Sequence, residues 1–161
     1  MAFQVPRMDD RESRAWLGLV AVTQLLPAAL DSQLQREAHL THFEFMALTA
    51  LRFAPESILR MTALADATNA TLTRLSHVCT RLEKRGIVER TPSPDDRRAT
   101  DIRLTTEGRR MLIRAMPGHI ETARRLVIDA LTPAQLDALA QITGTITDRL
   151  SGGEASPPPH D

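Results

Sequence analysis

The chain contains no tyrosine, one tryptophan (Trp16) and four phenylalanines, so any aromatic-lined binding pocket it builds is small. It has a single cysteine, Cys79, in 161 residues, which excludes an internal disulfide and fits a reducing compartment. The formal net charge is zero, with twenty cationic and twenty acidic residues, which argues against a generic polyanion binder. Lysine is almost missing too: nineteen of the twenty cations are arginine, so only the placement of arginine can carry a message. The longest nearly apolar run, Ala15 to Leu30, is interrupted by Thr23, Gln24 and Pro27 and reads as too short to cross a bilayer. No basic, apolar, small-residue leader precedes it, and a cytoplasmic protein without a membrane partner is expected.

What is present is the balance of a packed globular chain, 42% hydrophobic and 25% charged. Its length suits one domain, placed at residues 1–150. Trp16, Leu17, Leu19, Val20, Leu25, Leu26, Leu30 and Leu34 recur at helical spacing from Asp10 to about Ala38, and Pro27 should kink that helix. Thr41 and Glu44 in "THFE" form a capping box ahead of Phe45, Met46, Leu48 and Leu51; Pro55 marks that helix's end. "ILRM" is β-permissive, and Thr62 is placed to cap a brief helix to about Ala67. From Thr71 to Arg85 an amphipathic helix puts Leu72, Leu75, Val78, Cys79 and Leu82 on one face, and Gly86 stops it. "IVER" and "ATDIRLT" read as strands around the turn-forming "TPSPDDRR", a hairpin with a charged tip. A long helical segment follows from Thr106 to about Ala130, to be bent or interrupted at Pro117 and Gly118. Thr132, Pro133 and Gln135 then start a last helix to about Leu150. The remainder, "SGGEASPPPHD" at 151–161, has nothing to bury and is expected to be disordered.

Neutrality conceals a local patch. Residues 69–110 hold ten Arg or Lys against six acids, a net of +4, leaving the remainder at −4. In the same region, residues 58–104 give short strand, helix, tight turn, amphipathic helix, strand, charged turn, strand. That is the order of a winged helix-turn-helix, whose second helix fits the major groove, about 12 Å wide, while an arginine-rich hairpin reaches the minor groove.

At these residues the chain resembles the MarR family of transcriptional regulators. Asp96, Arg98, Leu104, Thr105 and Gly108 match the family pattern D-x-R-x5-L-T-x2-G, and "TRLEKRGIVER" is similar to the passage from recognition helix into wing. The resemblance covers roughly residues 11–150. It implies a mainly α fold with a small β-wing: a winged helix-turn-helix lobe at about 56–106, with dimerisation helices at about 10–38 and 106–150. It also implies a homodimer, a sequence-specific regulator of double-stranded DNA acting on a pseudo-palindromic operator, most often a repressor, and release by a small-molecule effector. The alternative is a winged-helix module for protein partners, with DNA binding weak or lost.

Arg74, His77 and Arg81 lie three and four residues apart on the face opposite the leucines and can enter one groove together. Arg74 is the candidate for base reading, since its planar fork matches guanine O6 and N7; Thr71 and Thr73 suit phosphate or base contacts near the helix start. In the wing, Arg97 and Arg98 are the minor-groove and phosphate candidates. Asp96, repelled by phosphate, serves better as an organiser holding an arginine fork or the turn backbone. The alternative for the helix is a solvated face, and for the hairpin a charged sheet edge.

By resemblance, a ligand cleft where dimerisation helices meet the DNA-binding lobe would draw on Trp16, His42, Phe45, Met46 and His119; core packing is the competing reading for the apolar three. No metal or cofactor is expected: Thr41 separates His39 and His42 from a shared helical turn, and no cysteine completes a ligand set. Cys79 shares the leucine face, which suits a buried hydrophobe rather than a redox sensor. Nor is an enzyme expected, because Ser76 and His77 diverge on a helix and neither a glycine-rich phosphate loop nor a paired acid is present.

Overall fold

The computed structural model describes residues 7–94, 96 and 98–152. The predicted groove residue Arg97 and nearly all of the predicted disordered tail lie outside the described residues. The elements run α1 (Asp10–Ala38), α2 (His42–Phe53), β1 (Ile58–Arg60), α3 (Met61–Ala67), α4 (Leu72–Lys84), β2 (Val88–Pro92), β3 (Thr100–Leu104), α5 (Thr106–Leu126) and α6 (Pro133–Leu150). Single 3-10 turns occupy Pro55–Ser57 and Ile128–Ala130. The chain is thus mainly helical with a small sheet, and it divides into two compact units, Met1–Thr122 and Ala123–Asp161.

Helix starts follow side-chain chemistry. Asp9 with Glu12, Thr41 with Glu44 and Thr132 with Gln135 each form a reciprocal capping box. Each cap is worth about 1 kcal/mol. α1 and α5 continue through Pro27 and Pro117, so α5 is not interrupted there; both prolines are exposed, as are Thr23 and Ile113, whose carbonyls lose an amide partner and can turn to water. α5 also ends at Leu126, short of the expected Ala130. Gly118 sits inside α5 where α1 crosses it: a side chain there would strike those of Glu37 and Gln33. α3 starts at Met61 directly out of β1, with Arg60 rather than Thr62 at the cap and no side-chain cap bond.

In the first unit, Leu34 and Leu40 pack with Phe45, Leu48 and Leu51 of α2, Leu64 of α3, Leu75, Val78, Cys79 and Leu82 of α4, and Leu112 and Ala115 of α5. The sheet is antiparallel in the order β1-β3-β2, with Ile102 opposite Leu59 on one side and Arg90 on the other. Pro92, lacking an N–H, is tolerated because β2 is an edge strand.

The first half of α1 buries little: Trp16, Leu17, Val22 and Leu25 are all more than half exposed. Embedded in a 29-residue helix, its apolar stretch reaches a mean hydropathy of 1.3 over 18 residues, so by length and composition it is long enough to cross a membrane, contrary to the sequence expectation. In the second unit, α6 has no fully buried residue; Leu136 and Ile146 are half-buried, and Leu139, Ile142 and Leu150 are exposed.

Candidate nucleic-acid interface

The turn between α3 and α4 is closed by Asn69, whose φ of 48° is a left-handed conformation that asparagine tolerates. Thr71 then caps α4, its hydroxyl accepting from Arg74 N at 3.2 Å. Leu75, Val78, Cys79 and Leu82 face inward, leaving Thr71, Thr73, Arg74, His77 and Arg81 exposed. Leu72 departs from the expected apolar face: at the first helical position it lies clear of the core, 50% exposed, and lines a surface groove with Arg60, Ser76, Arg98 and Thr100.

The outward arginines do not all stand free. The Arg74 guanidinium lies 4.2 Å above the centre of the Phe43 ring, on α2. Arg81 Nη2 donates to Glu44 Oε1 at 3.4 Å, and Arg85 Nη1 lies 4.0 Å from Glu44 Oε2. Arg90, on β2, is tied into the fold: its Nη2 donates to the Ser76 carbonyl at 2.5 Å and to Thr80 Oγ1 at 2.8 Å, and its Nε lies 3.5 Å from Glu83 Oε2. It clamps the wing strand to α4. Neither Glu44's second task nor the Arg90 clamp was legible in the sequence, because the partners lie far along the chain or are backbone carbonyls.

The hairpin tip is closed by Ser93 N donating to the Ala99 carbonyl at 3.0 Å and Ala99 N to the Asp96 carbonyl at 2.9 Å. The Asp96 carboxylate accepts from Arg98 N at 2.9 Å, so it shapes the turn backbone, while the Arg98 side chain is exposed. At the hairpin's base, Thr105 Oγ1 donates within reach of the Gly86 and Ile87 carbonyls, at 2.7 and 3.0 Å, and accepts from Gly108 N at 3.0 Å. A side chain at position 108 would strike the Ile87 carbonyl and Leu104. The threonine and glycine of the L-T-x2-G pattern therefore lock the end of α4 to the start of α5.

Of the predicted cleft residues, His42, Phe45 and His119 come together. The His119 ring centroid is 4.3 Å from Phe45 and 6.1 Å from His42, the two imidazoles stacked with an interplanar angle of 23°. Both histidines have a buried Nδ1 with no hydrogen-bond partner. Burial pushes both below the usual imidazole range, opposed at His42 by Asp31 and reinforced at His119 by His42. His42 and Met46 line an open cavity of about 600 Å³, shared with Asp31, Phe43 and Arg74. Phe45 is core instead, 2% exposed. Trp16 is not brought to the cleft; it lies 15 residues before Asp31 on the same helix, about 22 Å along the axis, and is 52% exposed. Cys79 is buried, and that burial raises its thiol. Among the described residues no three His, Cys, Asp or Glu side chains cluster as a metal site.

A helix–turn–helix closed by a clamped β-hairpin, with threonine, histidine and arginine on the outer face of its second helix, is a winged helix-turn-helix. The family model of the MarR family matches residues 40–99. Sco3205, a MarR family transcriptional regulator from Streptomyces coelicolor solved in complex with DNA, is 37% identical, with a TM-score of 0.88 over 95% of this chain and 96% of that one. AbsC, another MarR family transcriptional regulator from S. coelicolor, is 32% identical, with a TM-score of 0.86 over 92% of this chain and 99% of its own. The transcriptional repressor MprA of Escherichia coli K12 is 32% identical over 66% of this chain; the match spans only 60% of MprA's length. The chain belongs to the MarR family.

Proposed function

We propose that the protein is a sequence-specific DNA-binding transcriptional repressor rather than an enzyme, acting in the cytoplasm as a homodimer on a pseudo-palindromic operator. The observation that carries this reading is the outer face of α4, where Thr73, Arg74 and His77 stand exposed beside a hairpin that presents Arg98. A helix of that width fits the major groove, and the hairpin reaches the neighbouring minor groove. Sco3205, similar over nearly the whole chain, was solved in complex with DNA.

In this reading residues 1–150 form one MarR-like domain, with the reading lobe at about 56–106 and dimerisation helices at about 10–38 and 106–150. The exposed apolar side chains of α1, and separately those of α6, support a second copy as their cover, since large apolar side chains left open to water mark interaction surfaces. The cavity beside His42, Met46 and Arg74 supports release by a small molecule: its volume suits such a ligand, and one wall carries a base-reading candidate.

Selection of bound duplexes from a random pool tests DNA binding, symmetry and half-site spacing in one step. The expected product is a palindrome of roughly 16–20 base pairs, bound with an affinity that falls steeply with salt as about 6–10 phosphate contacts release counterions. A flat salt response, or no preference over random duplex, would favour a protein-interaction module instead.

A further inference from the structure

Consecutive residues at the start of α2 face two ways. His42 gives its backbone N–H to Asp31 Oδ1 of α1 at 2.8 Å, and Phe45 packs on His119 of α5. Between them, Phe43 carries the Arg74 guanidinium on its ring face, and Glu44 holds Arg81. Glu44 is only 4% exposed. A carboxylate buried that far needs partners, and it has the Thr41 N–H at 2.9 Å and the two arginines Arg81 and Arg85. Two of the outward arginines of α4 are therefore tied to one turn of α2.

We propose that Phe43 and Glu44 are positioning residues for DNA reading: they set Arg74 and Arg81 in place before DNA arrives. This rests on the DNA-binding reading above. An unrestrained arginine loses much rotamer freedom when it is fixed against a base, and a side chain already stacked has lost part of it on folding. Stacking engages the face of the guanidinium and leaves its in-plane N–H edge for guanine O6 and N7. Glu44 acts in the other direction on Arg81. While paired, Arg81 is withheld from indiscriminate phosphate contact, so Glu44 suppresses binding to the wrong sequence as well as orienting the side chain.

The test uses the full chain and two duplexes, the one enriched by selection and a scrambled one, titrated by fluorescence anisotropy at fixed salt. Glu44→Gln keeps the capping box, because the glutamine oxygen can still accept from the Thr41 N–H, and removes the charge together with the oxygen that accepts from Arg81. It should raise affinity for the scrambled duplex and lower the ratio of specific to non-specific binding by about three- to tenfold. Phe43→Leu should weaken binding to the enriched duplex by about two- to fivefold, and Phe43→Tyr, which keeps the ring face, should restore it. Thermal midpoints of the folded variants serve as the structural control. A purely structural role would lower both affinities together in step with the midpoint, and that result would overturn the proposal. So would a parent that binds its enriched duplex specifically with both variants behaving identically to it. A parent that enriches no sequence overturns the DNA-binding reading itself, and the positioning role with it.

Discussion

Arg74 and Arg90 put the same guanidinium to opposite uses. Arg74 is exposed and stacked, with its donor edge available; Arg74→Ala should cost on the order of 1–3 kcal/mol of specific DNA affinity and relax preference at one or two base pairs, checked by binding to single-base variants of the operator. Arg98→Ala should weaken binding evenly across sequences. Arg90 donates through Nη2 to the Ser76 carbonyl and Thr80 Oγ1 and sits beside Glu83, so Arg90→Ala removes both bonds and the ion pair and loosens the wing. Its expected effect is about 1–3 kcal/mol of stability, read from the urea midpoint. The glycines divide in the same way. Gly108→Ala drives a methyl into the fixed Ile87 carbonyl and should cost about 1–3 kcal/mol, whereas Gly118→Ala meets the movable ends of Glu37 and Gln33 and should cost clearly less. The conflict at position 108 is invisible in the sequence beyond the motif itself, because it depends on the backbone oxygen of Ile87, just before β2.

Among the elements, the starts of α2, α4 and α6 were legible from their capping threonines, and the start of α3 was not. The boxes at Thr41 and Thr132 are local, three residues wide, and the structure has both. Whether a proline such as Pro117 ends its helix depends on whether the deprived carbonyl faces water, which only the packing decides, and α5 continues through it. Leu72 failed for a related reason: helical periodicity assigns it to the apolar face, but the first turn projects past the core. The packing of α2 on α5 carries a pH dependence. His42 and His119 titrate below the ordinary imidazole value of 6.5 because they are buried, so the folded state disfavours their charged forms. Their contribution to stability is fully present above that value and is lost as pH falls through it toward the folded values. The urea midpoint should therefore drop between pH 7.5 and 5.5, and His119→Phe should flatten that dependence; an unchanged slope would count against the stack as its source.

For the whole molecule, the zero net charge is an average over a basic reading segment and an acidic remainder, and the structure refines that division. Within the basic segment, Arg90 and Arg110 pair with Glu83 and Glu107, which the net of +4 already includes, while Arg81 and Arg85 share Glu44 from outside it, so the field available to a phosphate backbone is narrower than that net suggests. The outward face of α4 was legible in the sequence, but the partners of its arginines were not, since Glu44 and Arg81 lie 37 positions apart. Deleting residues 132–150 should give monomeric or aggregated protein by light scattering, because the apolar side chains of α6 lose their role and their partner surface is left open; a soluble, folded dimer would argue against the assigned dimerisation helices. The wing has a different implication. Its stem is zipped into β3, clamped by Arg90 and bolted at its root by Thr105, while the tip closes on itself between Ser93 and Ala99. The bonds that close the tip are therefore separate from those that hold the stem, so Arg98→Ala should leave the thermal midpoint unchanged, whereas Thr105→Ala should lower it.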